Sequence, residues 1–128
     1  MKILGVGIDI VENSRINKLI KNKLFIKRIF SNSEILIGNK IKDKKSYYSK
    51  RFAAKEAFAK SIGTGFRDDF NFKEISIIND KLGKPSFLIN EKIKKIVKKQ
   101  FKTSSFNFFL SISDEKKYSA AYVILQKK

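Results

Sequence analysis

The chain has no histidine and no cysteine among its 128 residues. Catalysis by an imidazole base with a serine or thiol nucleophile is therefore excluded, as are zinc-finger patterns and disulfides. The lack of cysteine fits a reducing cytoplasm, and a cytoplasmic location is expected. No apolar run approaches a membrane span. The opening Met1-Lys2-Ile3-Leu4-Gly5 reads as a strand, without the layout of a signal peptide. Acidic residues are scarce: 12 Asp and Glu against 29 Lys and Arg, a formal net charge of +17. A surface this basic attracts polyanions, whether nucleic acid, anionic membrane, polyphosphate ligand or acidic protein. The charge is spread along the chain, which argues against a disordered basic arm. The apolar fraction is 42% with twelve phenylalanines, enough for a packed core, and the length suits a single domain over residues 1–128.

Two carboxylates stand in unusually apolar settings. Asp9 interrupts the strand-like run Ile3-Leu4-Gly5-Val6-Gly7-Ile8-Asp9-Ile10-Val11, and Glu56 lies within Arg51-Phe52-Ala53-Ala54-Lys55-Glu56-Ala57-Phe58-Ala59-Lys60. A carboxylate among core-type residues is costly unless something pairs with it. Two hard oxygen ligands point to a divalent cation such as magnesium, working on phosphate.

Residues 2–11 alternate, with Leu4, Val6, Ile8 and Ile10 on one face and Gly5, Gly7, Asp9 and Val11 on the other. The glycines are expected to leave room for a ligand beside Asp9. A short helix is predicted over 14–23, with Ile16, Leu19 and Ile20 as its stripe. Ser31-Asn32-Ser33-Glu34 has capping-box spacing and starts another helix. Residues 40–45 form a basic connector. The longest helix is predicted over 46–61 with Gly63 as its cap, apolar around most of its circumference and hence central. Gly63-Thr64-Gly65 reads as a turn. Strands are predicted over 74–79 and 86–89 around Leu82-Gly83-Lys84-Pro85, an amphipathic helix over 91–102, and a hairpin of 106–113 with 118–125. The fold class is α+β, a largely antiparallel sheet packed on a central helix.

Plainer readings of these residues stand beside the functional ones. Asp9 could be an edge-strand charge that blocks aggregation. Glu56 and Lys60 could be an i,i+4 ion pair, although the flanking Phe and Ala are core residues. If the helix is central, Glu56 needs a cation, supplied by Lys60 or a metal.

Taken in order, these motifs resemble the holo-acyl-carrier-protein synthases of the 4′-phosphopantetheinyl transferase superfamily. The resemblance rests on Gly5-Val6-Gly7-Ile8-Asp9-Ile10-Val11-Glu12 with Arg15-Ile16, on the stretch from Arg51 to Lys60 leading into Gly63-Thr64-Gly65, on Leu82-Gly83-Lys84-Pro85, and on Ser111-Ile112-Ser113. It implies transfer of 4′-phosphopantetheine from coenzyme A to a serine of apo-acyl-carrier protein, in support of fatty-acid biosynthesis, by a small α+β unit that assembles as a trimer with sites between subunits. It further implies Asp9 and Glu56 as ligands of Mg2+, or Mn2+ in its place, and as candidates for proton removal. Lys60 would contact phosphate. Arg51, Gly83, Lys84 and Pro85 would contact coenzyme A, and Arg15, Lys21 and Arg28 an acidic carrier protein. One departure is evident: Asp114 stands where the family usually has histidine after Ser-Ile-Ser.

Two rival readings remain. A basic nucleic-acid-binding module would use the charge and the phenylalanines, but those lie mostly in periodic apolar stretches and form no recognisable aromatic platform; no specific nucleic-acid partner is expected. A catalytically dead scaffold has only Asp114 in its favour.

Overall fold

The computed structural model describes residues 1–63 and 71–128. In chain order the elements are β1 (Lys2–Glu12), α1 (Asn13–Leu19), α2 (Lys23–Ile29), α3 (Asn32–Gly38), α4 (Lys44–Ile62), a tight helical turn at Phe72–Glu74, β2 (Ser76–Asn79), β3 (Pro85–Leu88), α5 (Glu91–Phe101), β4 (Phe106–Asp114) and β5 (Tyr118–Lys127). The strands pair only antiparallel, as a three-stranded sheet β1-β5-β4 and a β2-β3 hairpin. The α+β class read from the sequence holds.

Helix α4 is the axis of the molecule. Asp43 caps its start by accepting from the Ser46 N–H, and Gly63, at φ 85°, ends it. Between these caps the buried side chains include Tyr48, Phe52, Ala53, Ala54, Ala57, Phe58 and Ile62. They occupy every side of the helix, so it is surrounded by the sheet, by α1 and by the first helices. Most of the described phenylalanines do core work, Phe109 being exposed: the Phe58 ring packs on Phe87 and Phe108, with centroids 4.9 and 4.6 Å away. This weakens the aromatic support for a nucleic-acid module.

Three expectations need correction. The predicted helix over 14–23 stops at Leu19, and a second helix, Lys23–Ile29, begins after Asn22, whose side chain accepts from the Leu24 N–H. The short polar Asn22 competes for backbone donors and resets the chain. The basic connector is shorter than predicted, because Lys44 and Lys45 already belong to α4. Third, the space left by Gly5 and Gly7 is not open to a ligand. A Cβ on Gly7 would lie 1.9 Å from the Ala57 carbonyl oxygen, and one on Gly5 1.8 Å from that of Ser61. The glycines let strand and helix backbones touch.

That close approach turns the apolar face of β1 outward. Val6, Ile8 and Ile10 are exposed, whereas Gly7 and Val11 face α4. Ile8 pairs with Tyr122, which pairs with Ser111, and Val6 pairs with Ile124, which pairs with Phe109. The outer sheet surface is thus largely apolar, interrupted on β4 by Ser111 and Ser113.

Candidate active site

Asp9 follows Gly7 on the inward face of β1, and Glu56 and Lys60 lie one turn apart on α4. Because β1 rests on the α4 backbone, these groups converge. Lys60 Nζ donates to Asp9 Oδ1 and to the Ile8 carbonyl, each at 3.1 Å. Lys60, which the plainer reading pairs with Glu56 at i,i+4, makes its ion pair across the strand–helix junction while still acting electrostatically on Glu56. Glu56 is half-buried, and its pKa is raised, first by burial and then by the negative charge of Asp9; Lys60 and Arg15 act in the opposite sense. Two carboxylates feel each other's charge here, with a half-exposed lysine and the α1 arginine as nearby cations.

Arg51, one turn before Lys55 on the same stripe, is a nearly buried guanidinium. It stacks on the Tyr47 ring, 3.7 Å from the centroid. Its Nη1 donates to the Tyr47 carbonyl at 3.3 Å and its Nη2 to Asn79 Oδ1 at 2.8 Å. The Asn79 amide in turn donates to the Gly83 carbonyl at 3.0 Å. The structure so links Arg51 to the turn of Gly83, Lys84 and Pro85, which the sequence had connected only through the resemblance. Gly83 sits at φ 86°, and Asp80 Oδ1 gathers the Leu82 and Lys84 N–H groups at 2.9 and 2.8 Å.

The other predicted positions are more scattered. Arg15 is exposed on α1 and close enough to act electrostatically on Glu56. Lys21 and Arg28 are exposed on the turn after α1 and on α2. Asp114 ends β4 and accepts from the Ser46 hydroxyl at 3.1 Å. Thr64 and Gly65 of the predicted turn lie outside the described residues.

Sequence reasoning missed two groups. Asn79 is one; it sits at the end of an ordinary-looking strand, and only the folded hairpin brings it to Arg51. The other is the pairing of Lys55 with Glu34. Both are fully buried, with Nζ 2.6 Å from Oε1. Lys55 also donates to the carbonyls of Phe72, at 2.9 Å, and Ile75. Glu34 accepts from the Ser31 N–H as the predicted capping box requires, and from the Ile77 N–H at 3.0 Å. Burial pushes the Lys55 pKa down to about 8 against the pull of Glu34. The alanines around Lys55 were the available signal, but no spacing rule ties it to a residue 21 positions earlier.

The donor set suits a hard dication. Among the described residues there is no group of three or more His, Cys, Asp or Glu able to hold a metal; Asp9 and Glu56 are the two carboxylates that act on each other here. Magnesium commonly takes one or two carboxylates and completes its shell with waters and substrate phosphates.

Comparison with known proteins fits this geometry. Residues 5–123 match the model of the 4′-phosphopantetheinyl transferase superfamily. The chain is 76% identical, over the whole of both chains, to a holo-[acyl-carrier-protein] synthase of Pelagibacter ubique. It superposes on the crystal structure of the Neisseria meningitidis holo-[acyl-carrier-protein] synthase with a TM-score of 0.88 at 39% identity, covering 98% of this chain and 100% of that one. It also superposes on a Bacillus anthracis synthase in complex with CoA (3′,5′-ADP), with a TM-score of 0.82 at 32% identity and 98% of each chain covered. The chain belongs to the 4′-phosphopantetheinyl transferase superfamily, among its holo-[acyl-carrier-protein] synthases.

Proposed function

We propose that this chain transfers the 4′-phosphopantetheine arm of coenzyme A to a serine of an apo-acyl-carrier protein, for fatty-acid biosynthesis. The single observation that carries the reading is the meeting of Asp9, Glu56 and Lys60 at the β1–α4 junction. In the reaction, the serine oxygen attacks the phosphorus next to the pantetheine arm. The bond from that phosphorus to the bridging oxygen breaks, and adenosine 3′,5′-bisphosphate leaves. Asp9 and Glu56 hold Mg2+, or Mn2+ in its place, which when bound supplies charge neutralisation for the pyrophosphate. Lys60, anchored by Asp9 and the Ile8 carbonyl yet half-exposed, offers its remaining donor capacity to a phosphate oxygen. The serine proton passes to a carboxylate of the site.

Arg51 and the Gly83-Lys84-Pro85 turn hold the nucleotide end of the donor. Arg15, Lys21 and Arg28 face the acidic carrier protein. Two features support this docking face: the three cations are exposed, Arg15 on α1, Lys21 on the turn after it and Arg28 on α2, and Leu24 at the start of α2 is 75% exposed, offering an apolar contact. The working form is a homotrimer with sites shared between subunits, in the cytoplasm. The outer apolar field of Val6, Ile8, Ile10, Phe109 and Tyr122 supports a subunit interface. No helix among the described residues is long and apolar enough to cross a membrane.

The direct test is mass spectrometry of an apo-carrier protein incubated with coenzyme A and magnesium. The carrier gains the phosphopantetheine mass with the wild type. An unchanged mass with substrates known to be competent rejects the reading. For assembly, Ile8→Asp should convert the trimer to monomers in sedimentation and abolish turnover. An active monomer would exclude a shared site.

A further inference from the structure

Arg51 is an unusual cation. Its side chain is nearly buried, and among the described residues no carboxylate pairs with it. Its Nε has no hydrogen-bond partner. Its neutral partners are the Tyr47 carbonyl, the Tyr47 ring and Asn79 Oδ1. A buried guanidinium normally has an anion beside it. Among the described residues none supplies that anion, and the planar donor fork suits a phosphate from a ligand.

Asn79 decides what that guanidinium is attached to. Its amide uses both ends: Oδ1 accepts from Arg51, and Nδ2 donates to the Gly83 carbonyl. Gly83 belongs to the turn whose backbone Asp80 already fixes, and Lys84 stands exposed on that turn. The amide is therefore a clasp between helix α4 and the tip of the β2–β3 hairpin. An aspartate in its place would accept from Arg51 but could not donate to Gly83, and it would supply the very negative charge the site otherwise takes from a ligand.

We propose that Asn79 is a positioning residue for the phosphate-bearing nucleotide end of the donor: it holds the Arg51 guanidinium and the Gly83–Lys84 turn as one rigid anion-binding unit while leaving the arginine's charge unneutralised. The inference rests on the functional reading above and adds a residue that neither motif nor resemblance marked.

The test is steady-state kinetics and calorimetric coenzyme A binding for Asn79→Ala and Asn79→Asp. Asn79 is exposed, so both variants fold, which thermal unfolding checks. Asn79→Ala should raise the KM for coenzyme A about tenfold with kcat within about twofold, the loss of one hydrogen bond to a charged group. Asn79→Asp should raise it further, because its carboxylate competes with the phosphate for Arg51. A merely structural role predicts the opposite order, since Asp is nearly isosteric with Asn. The inference is overturned if neither variant changes the KM, or if Asp is milder than Ala, in a wild type that binds coenzyme A. A wild type that does not bind coenzyme A at all overturns the functional reading, and the inference with it.

Discussion

Lys55 and Glu56 are neighbours on one helix, yet their surroundings are opposite. Lys55 points into a closed junction, where its ammonium meets one carboxylate and two carbonyls and where Glu34 answers it with every oxygen occupied. Glu56 points toward a second carboxylate at a half-open edge, with Lys60 bound elsewhere, to Asp9 and Ile8. The first cluster is electrostatically complete. In the second, two carboxylates act on each other at a half-open edge, with only Lys60 and Arg15 acting in the opposite sense. A charge that the fold satisfies holds structure together, and a charge that it leaves in debt is available for chemistry.

Breaking the complete cluster should have the largest effect on stability. Lys55→Met strands a buried carboxylate and should cost about 3–5 kcal/mol in urea unfolding. Restoring neutrality with Glu34→Gln on that background should recover part of the loss. If Lys55→Met unfolds at the wild-type urea concentration, the pair is not the structural half of the contrast.

In the open cluster the order reverses. Asp9→Asn and Glu56→Gln keep the shape and remove a ligand charge. Each should lower turnover about a hundredfold or more, the rate equivalent of the several kcal/mol of charge stabilisation a metal provides, with little loss of stability in the same unfolding assay. A large stability loss would mean these carboxylates are structural after all.

Gly7→Ala joins the two regions, because the added Cβ meets the Ala57 carbonyl. Prying strand from helix should cost about 1–3 kcal/mol and also lower activity by moving Asp9 away from α4. Retained activity with lowered stability would show that Asp9 does not depend on that contact.

The smallest effect concerns pH. Glu56 has a folded pKa above its ordinary value of 4.5. Between those two values the folded chain holds a proton that the unfolded chain has lost, so this group's contribution to stability falls as pH rises. Its cost is fully present above the folded pKa. Glu56→Gln should therefore be slightly more stable than the wild type in that range, with the gap closing as the pH falls below 4.5. A gap that widens on acidification would reverse the assigned sign.

The contrast also explains what could be read from the chain. Asp9 and Glu56 stood out because each interrupts an apolar pattern, and α4 was legible because its caps and its apolar circumference are local properties. The capping box at Ser31 and Glu34 was equally local and is present. What escaped was non-local. Nothing in the periodicity says that Glu34 reaches Lys55, that Asn79 reaches Arg51, or that Lys60 crosses to Asp9 rather than pairing with Glu56. The glycines of β1 were visible, but whether they made space for a ligand or for a helix backbone depended on which face of the strand met α4. Val6, Ile8 and Ile10 of β1 face outward, against the usual rule for burial, because the inner face beside them must be thin enough for that contact.

Asp9 and Glu56 are proposed as joint ligands of one dication, with no part for the adjacent Lys55–Glu34 pair. Calorimetric titration of magnesium into protein saturated with coenzyme A separates the two pairs. One ion per site should bind the wild type, with no measurable uptake in either Asp9→Asn or Glu56→Gln, both folded. Wild-type magnesium affinity in both variants would rule out joint ligation.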